Sequence, residues 1–227
     1  CLEKMARVME HRGPDDKGTY TDDTAGVGLI MRRLAIIDIE HGRQPMTAER
    51  GRYNIVFNGE IFNADEIRER LSAKGYLFET DHSDTESLLR LYRDKGAEML
   101  SDLNGFFAFV IYDKQTQILF GARDYAGIKP LYYTEHKEGF LFASELKSLL
   151  ETDFVSREIN PQAMMDYLSL RYVPGDNSIF KQVKRLPPAH GFTYDLRSRN
   201  LRTWRYWSPK IATEKGLSQS EWQIRIR

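Results

Sequence analysis

The stretch from Tyr53 to Asn63 most constrains how this chain can fold, because a run of strand-forming apolar residues carries the step Asn58-Gly59-Glu60 in its middle. The segment Ile55-Val56-Phe57 predicts a short buried strand. Gly59 allows the backbone to approach a ligand closely or to take a positive φ. Asn-Gly between apolar runs is also a strong hairpin signal, so these residues alone fit either a turn or a polar site on a rigid frame.

The polar residues of this stretch suit an amide substrate that carries an ammonium group. The side-chain amide of Asn58 and the main-chain N–H of Gly59 can donate to one point, as an oxyanion hole requires. The carboxylate of Glu60 can hold a cation such as the ammonium group of glutamine. Arg33 can grip a carboxylate in a bidentate fork, although a surface salt bridge explains it equally well. Asp84 fits an N-cap, with Ser83 as the alternative.

Composition excludes several classes of protein. The chain has 227 residues, of which 41% are hydrophobic, enough for a packed core. Its 33 basic and 33 acidic residues cancel, so no global field draws it to nucleic acid or to an anionic membrane. The single cysteine, Cys1, excludes an internal disulfide and indicates a reducing compartment, the cytoplasm. No run of about 18 apolar residues predicts a membrane span, and no His/Cys spacing predicts a metal.

Strand signals outnumber helix signals along the chain. Two antiparallel hairpins are predicted, from Phe106 to Ile111 with Ile118 to Gly121, and from Leu131 to Tyr133 with Gly139 to Ala143. Further strands are predicted at Gly26 to Met31 and Arg33 to Asp38. Amphipathic helices are predicted at Leu2 to Glu10, Ala64 to Lys74 with Asn63 as N-cap, from Leu88 onward, and around Met164 to Leu168. This pattern predicts a layered fold of helices and largely antiparallel sheets.

Five motifs follow one another between His11 and Tyr133. They are His11-Arg12-Gly13-Pro14-Asp15, Arg33-Leu34-Ala35-Ile36-Ile37-Asp38, Phe57-Asn58-Gly59-Glu60-Ile61-Phe62-Asn63, Ser83-Asp84-Thr85-Glu86, and Ala122-Arg123-Asp124 with Gly127-Ile128-Lys129-Pro130-Leu131-Tyr132-Tyr133. In this order they resemble the glutamine amidotransferase domain of glutamine-hydrolysing asparagine synthetases. The segments Tyr167 to Gly175, Leu186 to His190 and Arg205 to Trp207 resemble that family's passage towards its synthetase domain.

The resemblance implies a four-layer αββα sandwich, an α+β fold of the N-terminal-nucleophile hydrolase type. It also implies hydrolysis of glutamine to glutamate and ammonia through a thioester on an N-terminal cysteine, whose own α-amino group is the base. Carried over by motif, Asn58 and Gly59 form the oxyanion hole and Arg33 holds the α-carboxylate of glutamine. Glu60 and Asp84 hold its α-ammonium group.

Cys1 matches the family only in part. The family's cysteine opens a buried strand well before the His-Arg-Gly-Pro-Asp motif, whereas Cys1 directly precedes a predicted helix. Either Cys1 is the nucleophile and intervening residues are missing, or the chain begins within the family's first helix and Cys1 is merely its first residue. The resemblance assigns 1–155 to the amidotransferase domain. It assigns 156–227 to the C-terminal part of that domain and a connection to a synthetase domain beyond Arg227.

The partners follow from the same comparison. Glutamine is the expected substrate, and a homodimer is left open. The sequence has no Gly-rich phosphate loop, so no cofactor is expected in this chain, and ATP and magnesium are expected only in the missing synthetase domain. One alternative is a catalytically silent amidotransferase-like module whose Trp204 to Trp207 region docks a partner. Another is an unrelated binding sandwich in which Asn58-Gly59 is a plain hairpin turn.

Overall fold

A computed structural model describes residues 1–34, 42–210, 216 and 218–226. Its α-helices are α1 (Leu2–Arg7), α2 (Ala64–Ala73), α3 (Asp84–Lys95), α4 (Leu146–Leu149), α5 (Pro161–Leu170) and α6 (Gln219–Ile226). Its strands are β1 (Asp16–Asp22), β2 (Val27–Arg33), β3 (Met46–Ala48), β4 (Tyr53–Ile61), β5 (Gly105–Asp113), β6 (Ile118–Arg123), β7 (Tyr132–His136), β8 (Gly139–Ala143), β9 (Lys184–Arg185), β10 (His190–Asp195) and β11 (Asn200–Arg205). None of the helices described is long and apolar enough to cross a membrane.

The main sheet has the strand order β11-β10-β6-β5-β4-β3, and its neighbouring strands are antiparallel. Strand β4 pairs with β5 along its whole length, from Tyr53 opposite Asp113 to Ile61 opposite Gly105. Asn58 and Gly59 therefore lie inside a strand, and their interpretation as a hairpin turn is wrong. The long pairing with an aromatic and β-branched partner strand overrides the local turn preference of Asn-Gly.

Four layers follow from which face each strand residue buries. On one face of the main sheet, α2 and α3 pack their Ile67, Leu71 and Leu88 side chains over β4 and β5. On the other face lie two smaller sheets, β1-β2 and β8-β7-β9. Helices α1 and α4 cover these smaller sheets through a cluster that includes Met5 and Leu149. The predicted αββα arrangement is confirmed.

The second sheet layer is divided. Among the strands described, β2 pairs only with β1 and β8 pairs only with β7, so each presents one edge without a strand neighbour. Residues from the ends of both strands line a common cavity that reaches the main sheet. The divided layer thus opens a space beside Asn58 and Gly59.

Local details differ from the sequence predictions at several points. Asn63 precedes α2 as predicted, but its side chain bonds Asp102 and Asn104 instead of capping the helix. Both predicted hairpins form, as β5-β6 and β7-β8. The predicted strand from Arg33 to Asp38 falls largely on 35–38, which lie outside the described residues. Strands β10 and β11, from the 156–227 segment, extend the main sheet.

Candidate active site

A cavity of about 450 Å³ lies between the main sheet and the divided layer. Five of the six predicted site residues line it: Arg33, Asn58, Gly59, Glu60 and Asp84. They come from the end of β2, the second half of β4 and the first residue of α3. Residues 51 positions apart in the sequence, Arg33 and Asp84, are thereby gathered around one space.

The register of β4 explains why Asn58 and Glu60 face the cavity. Successive side chains of a strand point to opposite faces, so Val56, Asn58 and Glu60 share one face. Their partners on β5 are Val110, Ala108 and Phe106, and all of these also line the cavity. The intervening residues of β4 pack into the core beneath α2 and α3. A polar pair is thus presented from a rigid, paired strand.

Gly59 brings a main-chain donor to the same place. The N–H of Phe57 donates to Gln44 Oε1 at 2.6 Å, and the N–H of Ile61 donates to Asp84 Oδ2 at 3.2 Å. Alternate N–H groups of a strand point to the same edge, so the N–H of Gly59 is directed between these two contacts. A Cβ at Gly59 would lie 2.1 Å from the carbonyl oxygen of Phe106. The φ of Gly59 is +153°, a value that residues with a side chain rarely adopt. Only glycine fits here.

The side-chain amide of Asn58 is a buried hydrogen-bond donor in the wall of the cavity. Its nitrogen Nδ2 is buried and has no hydrogen-bond partner in the described part of the chain. Buried polar atoms are nearly always hydrogen-bonded, so an unpaired donor in a cavity wall needs an explanation. A donor held in place for an oxygen of a ligand provides one.

Arg33 is placed by close packing of the His11 to Asp15 segment. Arg33 is 8% exposed, and its carbonyl oxygen accepts the N–H of Asp15 at 3.1 Å. A Cβ at Gly13 would lie 2.4 Å from the main-chain nitrogen of Arg33. Because residue 13 is a glycine, the loop can contact the backbone of β2. This contact fixes the main-chain position from which the Arg33 side chain extends.

Asp84 is a half-buried carboxyl group at the start of α3. Burial raises its pKa, the N–H groups of Ile61 and Thr85 offset part of this effect, and the charge of Glu60 adds to it. Ser83 and not Asp84 occupies the N-cap position of α3, and the Asp84 side chain also reaches β4 through the N–H of Ile61. A ligand with an ammonium group would supply a positive charge that stabilises the ionised forms of Asp84 and Glu60.

We expect the Asp84→Asn substitution to raise the thermal stability of the protein. The raised pKa means that Asp84 binds its proton more tightly in the folded state than in the unfolded state. Stability therefore rises as pH falls through the raised pKa, and at pH 7 the ionised carboxylate disfavours folding. Asparagine removes that charge and can still accept the N–H of Ile61. In thermal melts from pH 7 downward, the Tm of Asp84→Asn should exceed that of the parent protein by a margin that shrinks as the pH falls. A Tm below that of the parent protein at pH 7 would contradict this prediction.

Two further residues of the cavity were not predicted. Gln44 binds the N–H of Phe57, and Lys129 places its Nζ 4.6 Å from the ring centroid of Phe106. Lys129 lies within the last of the five motifs, whose presence could have drawn attention to it. Gln44 has no such signal, because only the folded chain brings it to the edge of β4.

Cys1 does not line the cavity. It is exposed and directly precedes α1, and its Sγ lies 4.0 Å from Sδ of Met5. Met5 itself lines the cavity, so Cys1 lies one helical turn from the cavity wall. The first turn of α1 is held by bonds from the N–H groups of Lys4 and Met5 to the carbonyl of Cys1, without a side-chain cap.

Comparison with known proteins identifies the family of this chain. The sequence profile of the family described as glutamine amidotransferase domain matches residues 1–207. The chain belongs to this family. Asparagine synthetase [glutamine-hydrolyzing] 1 of Bacillus subtilis (strain 168) is 46% identical over 194 residues, which cover 85% of this chain and 30% of that protein. Asparagine synthetase [glutamine-hydrolyzing] 3 of the same organism is 37% identical, over 94% of this chain and 34% of that protein.

The chain thus spans about a third of the length of these relatives. A solved structure, glutamine phosphoribosylpyrophosphate (PRPP) amidotransferase from B. subtilis complexed with ADP and GMP, matches with a TM-score of 0.55. It is 20% identical, and the match covers 81% of this chain and 36% of that one. The family resemblance found in the motifs is confirmed, and so is the layered fold.

The family match and the packing of the C-terminal strands support the main interpretation and not its two alternatives. The family match excludes an unrelated binding sandwich. In the silent-module interpretation, the Trp204 to Trp207 region docks a partner, but Trp204 stacks on Phe120 with centroids 6.2 Å apart. Tyr206 donates its hydroxyl to the carbonyl of Arg123 at 2.7 Å. Much of this region therefore packs on the domain's own core.

Proposed function

We propose that this domain binds glutamine in the cavity and hydrolyses it to glutamate and ammonia. In the longer protein the ammonia would supply an ATP-dependent amidation of the asparagine synthetase type, as the names of the relatives suggest. The observation that carries the proposal is the unpaired, buried Nδ2 of Asn58 beside Gly59. These two donors suit the oxyanion that forms when a thiolate adds to an amide carbonyl.

Each polar group of the cavity then has one role. The guanidinium of Arg33 binds the α-carboxylate of glutamine, and Glu60 and Asp84 bind its α-ammonium group. The thiol of Cys1 loses its proton to its own α-amino group, adds to the amide carbon, and ammonia leaves with that proton. Water then cleaves the thioester to give glutamate and the free thiol.

The remaining assignments of the proposal concern the longer protein. ATP and magnesium would act in a synthetase domain outside this chain, because the residues of the cavity include no phosphate-binding glycine loop. We place the reaction in the cytoplasm, where a reactive thiol stays reduced. A homodimer remains a prediction.

We expect the Arg33→Lys variant to bind glutamine about tenfold or more weakly, since a point charge cannot reproduce a bidentate fork. Isothermal titration with glutamine, carried out in a Cys1→Ser background so that the ligand is not hydrolysed, measures the change. The same titration with 4-aminobutanamide, which lacks the α-carboxylate, should show no difference between Arg33→Lys and the parent protein. Arg202→Lys, an exposed arginine on β11, is the matched control.

Comparing glutamine with 4-aminobutanamide distinguishes a substrate-binding role of Arg33 from a structural role. If Arg33→Lys weakens both ligands equally, the substitution has disturbed the cavity as a whole. If it changes neither, Arg33 does not bind the carboxylate. A parent protein that binds no glutamine would contradict the proposed function itself.

A further inference from the structure

The chain segment that precedes Asp84 is held by a buried carboxylate from the following helix. Glu86 is 3% exposed. Its carboxylate accepts the N–H of Glu79 at 2.9 Å, the N–H of Thr80 at 2.8 Å and the hydroxyl of Thr80 at 2.7 Å. Burial alone would raise the pKa of Glu86, but these bonds and one from Arg90 lower it. The ionised Glu86 therefore fixes the 79–83 segment against the first turn of α3.

Arg90 extends this contact to the strand that carries Asn58. Its Nε and Nη2 donate to Glu86 Oε1 at 3.2 and 3.0 Å, and Nη1 donates to Glu49 Oε1 at 2.6 Å. Glu49 lies in the turn between β3 and β4. A buried arginine thus ties the turn before β4 to the helix that begins at Asp84.

The opposite side of the segment is held by α2. Arg68 donates to the carbonyl oxygen of Thr80 at 2.6 Å and to that of Ser83 at 3.3 Å. Ser83 makes no side-chain cap bond to α3, so the geometry at the start of this helix depends on these side chains. The position of the Asp84 carboxyl relative to Glu60 follows from how the 79–83 segment is held.

We propose that Glu86, supported by Arg90, is a positioning residue that aims Asp84 at the ammonium group of the substrate. The inference rests on the proposed function, because it assumes that Asp84 binds glutamine. Glu86 and Arg90 do not line the cavity, so they act through Asp84 and make no contact with the substrate. The buried ion pair sets the distance between the carboxylate of α3 and the Asn58-Gly59-Glu60 step of β4.

The test compares glutamine with glutaramic acid, which is glutamine without its α-amino group. We expect Glu86→Gln to weaken glutamine binding about tenfold, while the affinity for glutaramic acid stays within about twofold of the parent value. Asp84→Asn should show the same selectivity. The double variant should bind glutamine no more weakly than Asp84→Asn alone, because Glu86 acts through Asp84. Glu69→Gln, an exposed glutamate on α2, is the control.

Isothermal titration is carried out in a Cys1→Ser background, so that glutamine is not hydrolysed, and below the melting temperature of each variant. Arg90→Lys keeps the positive charge but loses the paired hydrogen bonds to Glu86. It should also weaken glutamine binding and leave the affinity for glutaramic acid unchanged. This second variant tests the proposal even if Glu86→Gln does not fold. An equal loss of both ligands in the folded variants, or no loss, overturns the positioning role. Additive losses in the double variant overturn it too. A parent protein that binds both ligands alike overturns the Asp84 assignment in the proposed function as well.

Discussion

Replacing Asn58 with alanine should lower kcat for glutamine hydrolysis by about 10²-fold or more, while the stability of the fold stays near that of the parent. The amide nitrogen has no partner in the described chain, so its removal breaks no hydrogen bond of the folded state. The lost contact is one that forms with the developing oxyanion. The effect should therefore fall on kcat and leave glutamine affinity nearly unchanged.

Asn54 provides the matched comparison, because it is an asparagine on the same strand with a structural role. Its Oδ1 accepts the hydroxyl of Thr47 at 2.8 Å, and its Nδ2 donates to the carbonyl of Gly51 at 3.2 Å. Asn54→Ala should lower Tm, since it removes two hydrogen bonds and the packing of a fully buried side chain, and keep kcat per folded molecule. The opposite pattern, with Asn58→Ala unfolding and keeping normal specific activity, would make Asn58 a structural residue.

Strand β4 shows how much of the local structure could be predicted from the sequence. The apolar run from Ile55 to Phe57 predicts the strand correctly, because its residues suit a buried sheet. It cannot tell that the strand continues through Asn58-Gly59, since that depends on pairing with β5, which lies far along the chain. Local turn preference and long-range pairing conflict here, and the pairing decides.

Asp84 and Glu86 show a second limit of sequence reasoning. Both belong to one motif at the start of α3, yet the pKa of Asp84 is raised and that of Glu86 is lowered. Burial acts in the same direction on both. The difference comes from the hydrogen bonds that Thr80, Glu79 and Arg90 give to Glu86, and these exist only once the 79–83 segment has folded back. The motif located the candidate site, but it could not distinguish the carboxyl group that lines the cavity, Asp84, from the one buried behind it, Glu86.

The largest effect is expected at Cys1, where hydrolysis requires a thiol and an amine on one residue. Cys1→Ser should abolish most glutamine hydrolysis and leave glutamine binding intact, because a hydroxyl is a far weaker nucleophile than a thiolate. A glutamine-like diazo ketone should label Cys1 stoichiometrically, and glutamine should protect it. Since Cys1 is the only cysteine of the chain, mass spectrometry of its peptide reports the reaction without ambiguity.

The position of Cys1 makes this a demanding test of the mechanism. Its Sγ lies beside Met5 and Cys1 does not line the cavity, so attack at a carbonyl bound by Asn58 would require Cys1 to move towards the cavity. Met5 and Ala6 are buried, so this movement has to be confined to the residues before Met5 if the packing of α1 is to be kept. Arg33→Lys should reduce the glutamine protection of Cys1, because protection depends on occupancy of the cavity. Slow labelling that glutamine does not affect would mean that Cys1 only begins a helix, and that its thiol takes no part in the reaction.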